Sequence, residues 1–342
     1  MPDLPPPNVL EHIVDVHCHP TDAPSISLES MARLHITICA MSTMESDQQR
    51  VRDLALAHPT KVVPCFGYHP WFTYQISIHP HSSKDDHYRR LFLQAASPSS
   101  DHVAILEKLL PSLPEPTPLA DILSDLRRNL EAFPEAMLGE VGLDRVFRVP
   151  FDYYAGPRQL TPFVVPLDHQ LAILEAQLDL AAELGRNVSF HSVKSQLATV
   201  DLLARMQTKH RERWSHINID LHSCGMSPQT WRDIEKRHPN VYLSLSTVIN
   251  SRSPNHRALI AACSPDRLLV ESDYNNVDRC AEQTWDMIKT VADVRGWPLE
   301  TEWIDGLEEK DWGTVRRLEK NWHAFKAGNM STSSTSRRSR EK

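Results

Sequence analysis

Short β-branched runs alternate with amphipathic runs along almost the whole chain. Eight of the apolar runs read as strands, at about 13–18, 35–40, 61–67, 136–141, 187–191, 217–222, 241–246 and 267–272. Between them apolar residues recur at helical spacing. Leu171, Leu174, Leu178 and Ala181 follow Asp168, which reads as a cap, and Gly185 closes the run. Ser227-Pro228 and Ser253-Pro254 each read as an N-cap followed by proline at the first helical position. Val315, Leu318, Trp322 and Phe325 form a last helical stripe. Strands that are continuous apolar runs, separated by helices, predict a parallel sheet buried on both faces. The predicted fold is α/β, a closed (β/α)8 TIM barrel, in which functional residues gather at the C-terminal ends of the strands.

The polar residues follow that rule. In Ile13–Pro20, alternation places Asp15, His17 and His19 on one face and Val14, Val16 and Cys18 on the other. The third strand ends in Gly67-Tyr68-His69-Pro70, the fourth in Gly139-Glu140-Val141-Gly142-Leu143-Asp144, the fifth in His191, the sixth in His222 and the eighth in Glu271-Ser272-Asp273. The second and seventh end in Ala40-Met41-Ser42 and Ser244-Leu245-Ser246 and offer no strong ligand. A single buried histidine is explained by a backbone carbonyl, and a single glutamate by an ion pair. Recurrence at six strand ends points instead to metal.

His17, His19, Glu140, His191, His222 and Asp273 amount to four imidazoles and two carboxylates, more than one tetrahedral zinc takes. They suit two divalent ions, Mg²⁺, Mn²⁺ or Zn²⁺, sharing a water that becomes nucleophilic near neutral pH. Glu140, flanked by glycines, is expected to bridge the ions. His17 and His19 are expected to share the first ion with Asp273, and His191 and His222 to hold the second. Asp273 can also accept the proton of the attacking water. Asp15 is expected to hold a ligand histidine in its tautomer, with Asp144 as a second supporting carboxylate. A phosphodiester fits such a site; an amide or ester is chemically acceptable.

The remaining composition narrows the setting. Among 342 residues, 24% are charged and the formal net charge is −7, which argues against a broad basic surface coating nucleic acid but not against a local site. No apolar run approaches the roughly 20 residues of a membrane span. The proline-rich start lacks the regions of a secretory signal, and the six scattered cysteines form no CxxC pair. A cytoplasmic or nuclear location is therefore expected. Residues 1–11 and 329–342 read as disordered ends of a barrel spanning 12–328. An inserted connection at 71–117 reads as irregular, with His79-Pro80-His81 in a solvated loop and a low-complexity piece at Ala95–Ser100. A second connection, 145–166, carries Arg145, Phe147, Arg148, Phe151, Tyr153, Tyr154 and Arg158, a mixture suited to phosphates and base faces.

The ordered set DVHCHP, GYHPW, GEVGLD, SFHS, LHSCG and LLVESD resembles the TatD family of metal-dependent deoxyribonucleases, from about residue 13 to Phe325. Gln170 and Gln177 before the fifth strand and the closing Asn321-Trp322-His323-Ala324-Phe325 extend the likeness. The resemblance implies the same six ligands, His69 on the substrate side, and DNA as substrate; a barrel mouth narrowed by 71–117 and 145–166, with Trp71, Phe147, Phe151, Tyr153 and Tyr154 as stacking candidates, is expected to favour single strands or DNA ends over a rigid duplex. The chain departs from the pattern in three places. Val193-Lys194 replaces an arginine two residues after His191, His222-Ser223-Cys224-Gly225 is one residue short, and Tyr274-Asn275 stands where a proline is common. These changes alter the phosphate-side contacts; the residues expected to bind substrate are His69, Arg145, Arg148, Lys194 and Tyr274. The insertion and these departures resemble a divergent fungal TatD-like branch, some members of which are described as partners of an anaphase-promoting-complex subunit. The expectations are thus a DNA phosphodiesterase, an amidohydrolase acting on a small C–N or ester bond, or a barrel kept mainly to bind a protein.

Overall fold

Each of the eight apolar runs forms a strand: β1 (Val14–Cys18), β2 (Thr37–Met41), β3 (Val62–Phe66), β4 (Met137–Asp144), β5 (Val188–Val193), β6 (Ile219–Leu221), β7 (Val241–Leu245) and β8 (Leu268–Val270). The computed structural model describes residues 4–79, 82–94 and 99–328. Pro80, His81, most of the low-complexity piece and the 329–342 tail therefore lie outside the described residues. The strands form one parallel sheet in chain order. Its ends meet just beyond β1 and β8, where the Asp273 amide donates to the His17 carbonyl (2.9 Å) and the His19 amide to the Tyr274 carbonyl (2.8 Å). The seam of the barrel is thus closed by the residues expected to bind metal.

Inside the barrel Val16, Cys39, Met41, Cys65, Met137, Tyr242 and Leu269 pack together, and Trp322 and Phe325 of the last helix (Thr314–Ala327) complete this cluster. That helix is held to the strand starts by asparagines. Asn187 and Asn218 donate to the Phe325 carbonyl (2.7 Å each), and Asn321 donates to the Leu268 carbonyl (2.8 Å). Between strands and outer helices lies a much larger apolar layer.

Two strands carry a bulge, each beside a candidate ligand. In β1, Asp15 pairs with Ile38 and Cys18 with Ala40, three residues against two. In β4, Leu138 pairs with Val188 and Val141 with Phe190. A bulge reverses the alternation beyond it. The expected sharing of one face by Asp15, His17 and His19 is therefore corrected. Val14 and Val16 pack into the barrel interior and Cys18 against the outer layer, and Asp15 comes close to Cys18 and Cys280. His17 and His19 turn inward only because the bulge lies before them. The glycines of β4 also have a packing reason: a Cβ on Gly142 would lie 2.0 Å from the His191 carbonyl oxygen.

Other expectations are revised locally. The helix Leu167–Leu184 begins at Pro166, so Asp168 sits in its first turn and is not its cap, while Gly185 does terminate it in the left-handed region (φ 65°). Ser227 caps Pro228–Arg237 as expected. The helix after Ser253-Pro254 starts only at His256, because Ser253 turns its hydroxyl to the Asn255 amide (3.3 Å). The start of the chain is not wholly irregular: Pro7–Leu10 form a helical turn with Val9 and Leu10 buried. The 71–117 connection contains two helices, Lys84–Phe92 and Ser100–Leu109, capped by Ser83 and Ser99. Ser83-x-x-Asp86 was the legible start signal there, with the Ser83 hydroxyl 2.7 Å from the Asp86 carboxylate.

Truncating the barrel plug should be costly. We expect Trp322→Ala and Phe325→Ala each to lower unfolding free energy by about 3–5 kcal/mol in urea titrations, through lost transfer energy and the cavity left behind. His323→Ala on the same helix, whose side chain is 68% exposed, should stay within about 0.5 kcal/mol.

Candidate metal centre

The C-terminal strand ends converge on Glu140, which is 3% exposed. Its Oε2 faces His19 Nε2 (3.3 Å) and His17 Nε2 (3.6 Å), and its Oε1 faces His222 Nε2 (2.7 Å) and His191 Nδ1 (2.8 Å). Asp273 Oδ1 lies 3.4 Å from His19 Nε2 and 3.8 Å from His17 Nε2, on the first side. All six residues taken from the strand ends are therefore brought together, and one carboxylate divides them into two sets. Asp273 reaches this position with a positive φ (49°), held by the seam hydrogen bonds. His69, expected on the substrate side, instead enters the cage: it is buried, with Nε2 3.3 Å from Glu140 Oε1.

The donor set fits divalent metal. His17 Nε2 and His19 Nε2 stand 3.1 Å apart, as do His191 Nδ1 and His222 Nε2. Two imidazole nitrogens so placed repel unless a proton or a cation lies between them. The charges of the cage show the same demand. Burial favours neutral rings, yet Asp273 and Glu140 hold His19, and Glu140 and Glu271 hold His222, well above the ordinary imidazole range. Burial and the neighbouring His222 depress His17, and burial brings His69 down to about 4. Burial would raise Glu140, but His69, His222 and His17 keep it well below the usual carboxylate range.

A polar layer lies one step deeper. Ser189, Asp220 and Glu271 each precede a ligand by two residues and share its inward face. The Ser189 hydroxyl meets His17 Nδ1 at 2.7 Å. Glu271, fully buried, accepts the Ser223 amide (2.8 Å) and the Ser244 hydroxyl (2.6 Å), and lies 3.7 Å from His222 Nδ1. Ser244 Oγ is also 2.8 Å from Asp220 Oδ2. Burial and the Glu271 charge push Asp220 well above its ordinary range. Period-two counting back from His191, His222 and Asp273 would have found this layer. Asp15 does not belong to it: its carboxylate accepts the Ser272 amide (2.9 Å) and hydroxyl and the His17 amide (3.2 Å), and touches no ligand ring. The expected tautomer-holding role of Asp15 is corrected, because the bulge turns it away; Ser189 occupies that position for His17.

A cavity of about 440 Å³ opens beside His191, His222 and Asp273. Trp71, stacked on Phe147 (5.0 Å), lines it with Arg148, Pro150, Arg158, Leu160 and Ile249. Of the residues expected to contact substrate, only Arg148 among the named set lines this cavity. Arg145 and Lys194 are exposed outside it, and Tyr274 packs against the outer core. Of the expected aromatic platform, Tyr153 lies beneath the Arg158 guanidinium (4.1 Å) and Tyr154 is 80% exposed. Asp144 joins wall to centre. It accepts Trp71 Nε1 (2.6 Å) and the Val146 and Phe147 amides (2.6 and 3.0 Å), and its carboxylate is 3.5 Å from His191 Nε2.

A (β/α)8 barrel with an imidazole and carboxylate cage at its C-terminal mouth defines the class: a metal-dependent hydrolase barrel. The chain belongs to the TatD related DNase family, whose model matches residues 14–302. The Cut9-interacting protein scn1 of Schizosaccharomyces pombe is 33% identical over 330 residues, covering 85% of this chain and 95% of that protein. An uncharacterized deoxyribonuclease of Saccharomyces cerevisiae, YMR262W, is 27% identical over 279 residues, covering 78% and 84%. In structure the chain is similar to YjjV, a TatD homologue of Escherichia coli K12 (TM-score 0.58, 17% identity, 94% of this chain and 100% of that one). An uncharacterized amidohydrolase of Saccharomyces cerevisiae shares the fold to the same degree (TM-score 0.58, 13% identity, 92% and 99%).

Asp144→Asn keeps an acceptor for Trp71 but removes the charge beside His191. We expect metal affinity to fall about 10–100-fold in calorimetric titration, with the thermal unfolding of the metal-free chain little changed.

Proposed function

We propose that this chain is a two-metal phosphodiesterase that trims single-stranded DNA from an end. The observation that carries the reading is Glu140, whose two carboxylate oxygens face separate sets, His17, His19 and Asp273 on one side and His191, His222 and His69 on the other. Divalent ions in those two sets would supply positive charge for a phosphodiester and a shared water that ionises near neutral pH. Glu140 bridges and spaces the sets. Asp273, at the edge of the cavity, accepts the proton of the attacking water. Trp71 and Phe147 offer an aromatic wall to an unpaired base, worth about 1–3 kcal/mol per stacked base, and Arg148 and Arg158 stand where the strand's phosphates would pass. Described membership in the TatD related DNase family supports DNA as the substrate class.

No helix among the described residues is long and apolar enough to cross a membrane. Its cysteines, all buried and unpaired, are consistent with a reducing compartment, and we infer action in the cytoplasm or nucleus. A second reading, a protein partner, is favoured by the name of the 33% identical relative, a Cut9-interacting protein. On that reading Glu140→Ala would leave partner binding intact while removing hydrolysis.

The deciding experiment is metal analysis coupled to a nuclease assay on the purified chain loaded with Mg²⁺, Mn²⁺ or Zn²⁺. We expect two ions per chain, and end-labelled single strands cut faster than blunt duplex. Equal rates on a closed single-stranded circle would rule out trimming from an end, and turnover confined to small amides or esters would replace the reading with an amidohydrolase.

Glu140→Ala and Asp273→Ala should abolish cutting with the barrel still folded, since neither residue belongs to its apolar packing layers. Asp273→Asn, which keeps an oxygen but accepts no proton, should cost about 10²–10⁴-fold in kcat. Retained activity in either alanine variant would remove the assignment.

With two to four phosphates contacted, the slope of log K against log salt for a single strand should be roughly −1.5 to −3. A slope near ~−7 would require about ten neutralised phosphates and hence a basic surface far larger than the two arginines of this cavity.

A further inference from the structure

The 145–166 connection that forms the cavity wall has two faces. One presents Phe147, Arg148, Pro150 and Leu160 to the cavity. The other buries Val149, Phe163 and Val165 (0, 4 and 5% exposed) in a separate apolar cluster whose remaining buried members, Tyr74, Tyr88, Leu91, Leu106, Leu109 and Leu113, all come from the 71–117 insertion. Within the connection, backbone support is slight: an antiparallel bridge between Pro150 and Leu160, flanked by hydrogen bonds between Val149 and Phe163 (2.9 Å), Thr161 and Val149 (3.0 Å), and Phe151 and Gln159 (2.9 Å). A two-stranded ribbon of this kind is marginal in water without a core to lie on. The insertion supplies that core. Phe92 stacks on Phe163 (4.9 Å), Lys108 lies over the Phe151 ring (4.8 Å), and the Ser112 hydroxyl donates to the Phe151 carbonyl (3.4 Å).

We propose that the insertion is the specificity-setting element of this barrel, and that Phe163 and Val149 are positioning residues through which it holds Phe147, Arg148 and Leu160 against a polymeric substrate. The metal cage meets the insertion at Trp71, whose amide donates to His69 Nδ1 (3.2 Å) and whose Nε1 donates to Asp144 (2.6 Å); its other ligands are held by the strands and by the β1/β8 seam. For its kinetic arm this inference rests on the phosphodiesterase reading; its structural arm does not.

The test uses the full chain carrying Leu106→Ala, which opens the insertion core far from the metals, and the milder Phe163→Leu, which removes the Phe92 stack at nearly constant volume. Hydrogen exchange of the metal-loaded chain is read first. The amides of Val149, Phe151 and Thr161 should exchange at least about tenfold faster than in the unaltered chain, while β-strand amides and bound metal stay unchanged. Unchanged exchange at those amides in both variants overturns the proposal whether or not the chain is a nuclease. With single-stranded oligonucleotide, KM should rise by about tenfold or more with kcat nearly kept, whereas kcat/KM on bis(4-nitrophenyl) phosphate, too small to span the wall, should not move. Equal losses on both substrates, or a fall in kcat alone, also overturn it. An unaltered chain that cuts neither substrate sinks the phosphodiesterase reading, and the exchange result then decides whether the insertion orders the wall.

Discussion

Glu140 is almost wholly buried, and an unpaired carboxylate at that depth would cost on the order of several kcal/mol. It is tolerable because strand ends separated by long stretches of sequence deliver imidazoles to both of its oxygens. The reverse holds too: five imidazoles packed with nitrogens about 3 Å apart, as His17 and His19 are, are stable together only around negative charge or metal. The geometry of the mouth follows from this mutual requirement. The bulges in β1 and β4 turn His17 and Glu140 inward, Gly142 lets the β4 backbone pass His191, and the seam hydrogen bonds of Asp273 complete the ring.

The layers beneath and beside the cage divide the remaining work. Below it, Ser189 and Glu271 receive ligand rings or the turn that carries them, and the Ser244 hydroxyl lies between the Asp220 and Glu271 carboxylates. Further down, the apolar interior is closed by Trp322 and Phe325. Above the cage the cavity wall is borrowed from outside the barrel, on a small core that the strands do not provide. The candidate metal cage and the cavity wall are therefore built on separate packing units, joined through Asp144, which contacts both His191 and Trp71.

Much of this was legible in the linear pattern. Apolar runs bounded by turns located every barrel strand to within a few residues, because a strand buried on both faces leaves an uninterrupted hydrophobic signature. The position of polar residues at strand ends picked out the six residues that meet at Glu140. The same periodicity, counted backward, also contained Ser189, Asp220 and Glu271, although small and acidic residues inside apolar runs are easily passed over as surface positions. The helices of the 71–117 connection were signalled only by their serine caps.

What the sequence by itself determined was the order of elements and the identity of the chemical groups, since both depend on local periodicity and side-chain type. What only the tertiary structure decided was direction and neighbourhood. A bulge is a mismatch between two strands and leaves no mark on either alone, so Asp15 faced the wrong way and Ser189 went unnoticed. His69 joins the cage, while Arg145, Lys194 and Tyr274 stay out of the cavity, for the same reason: where a loop residue points is set by the core on which its loop rests. For the 145–166 connection that core is assembled from residues some forty to ninety positions earlier in the chain.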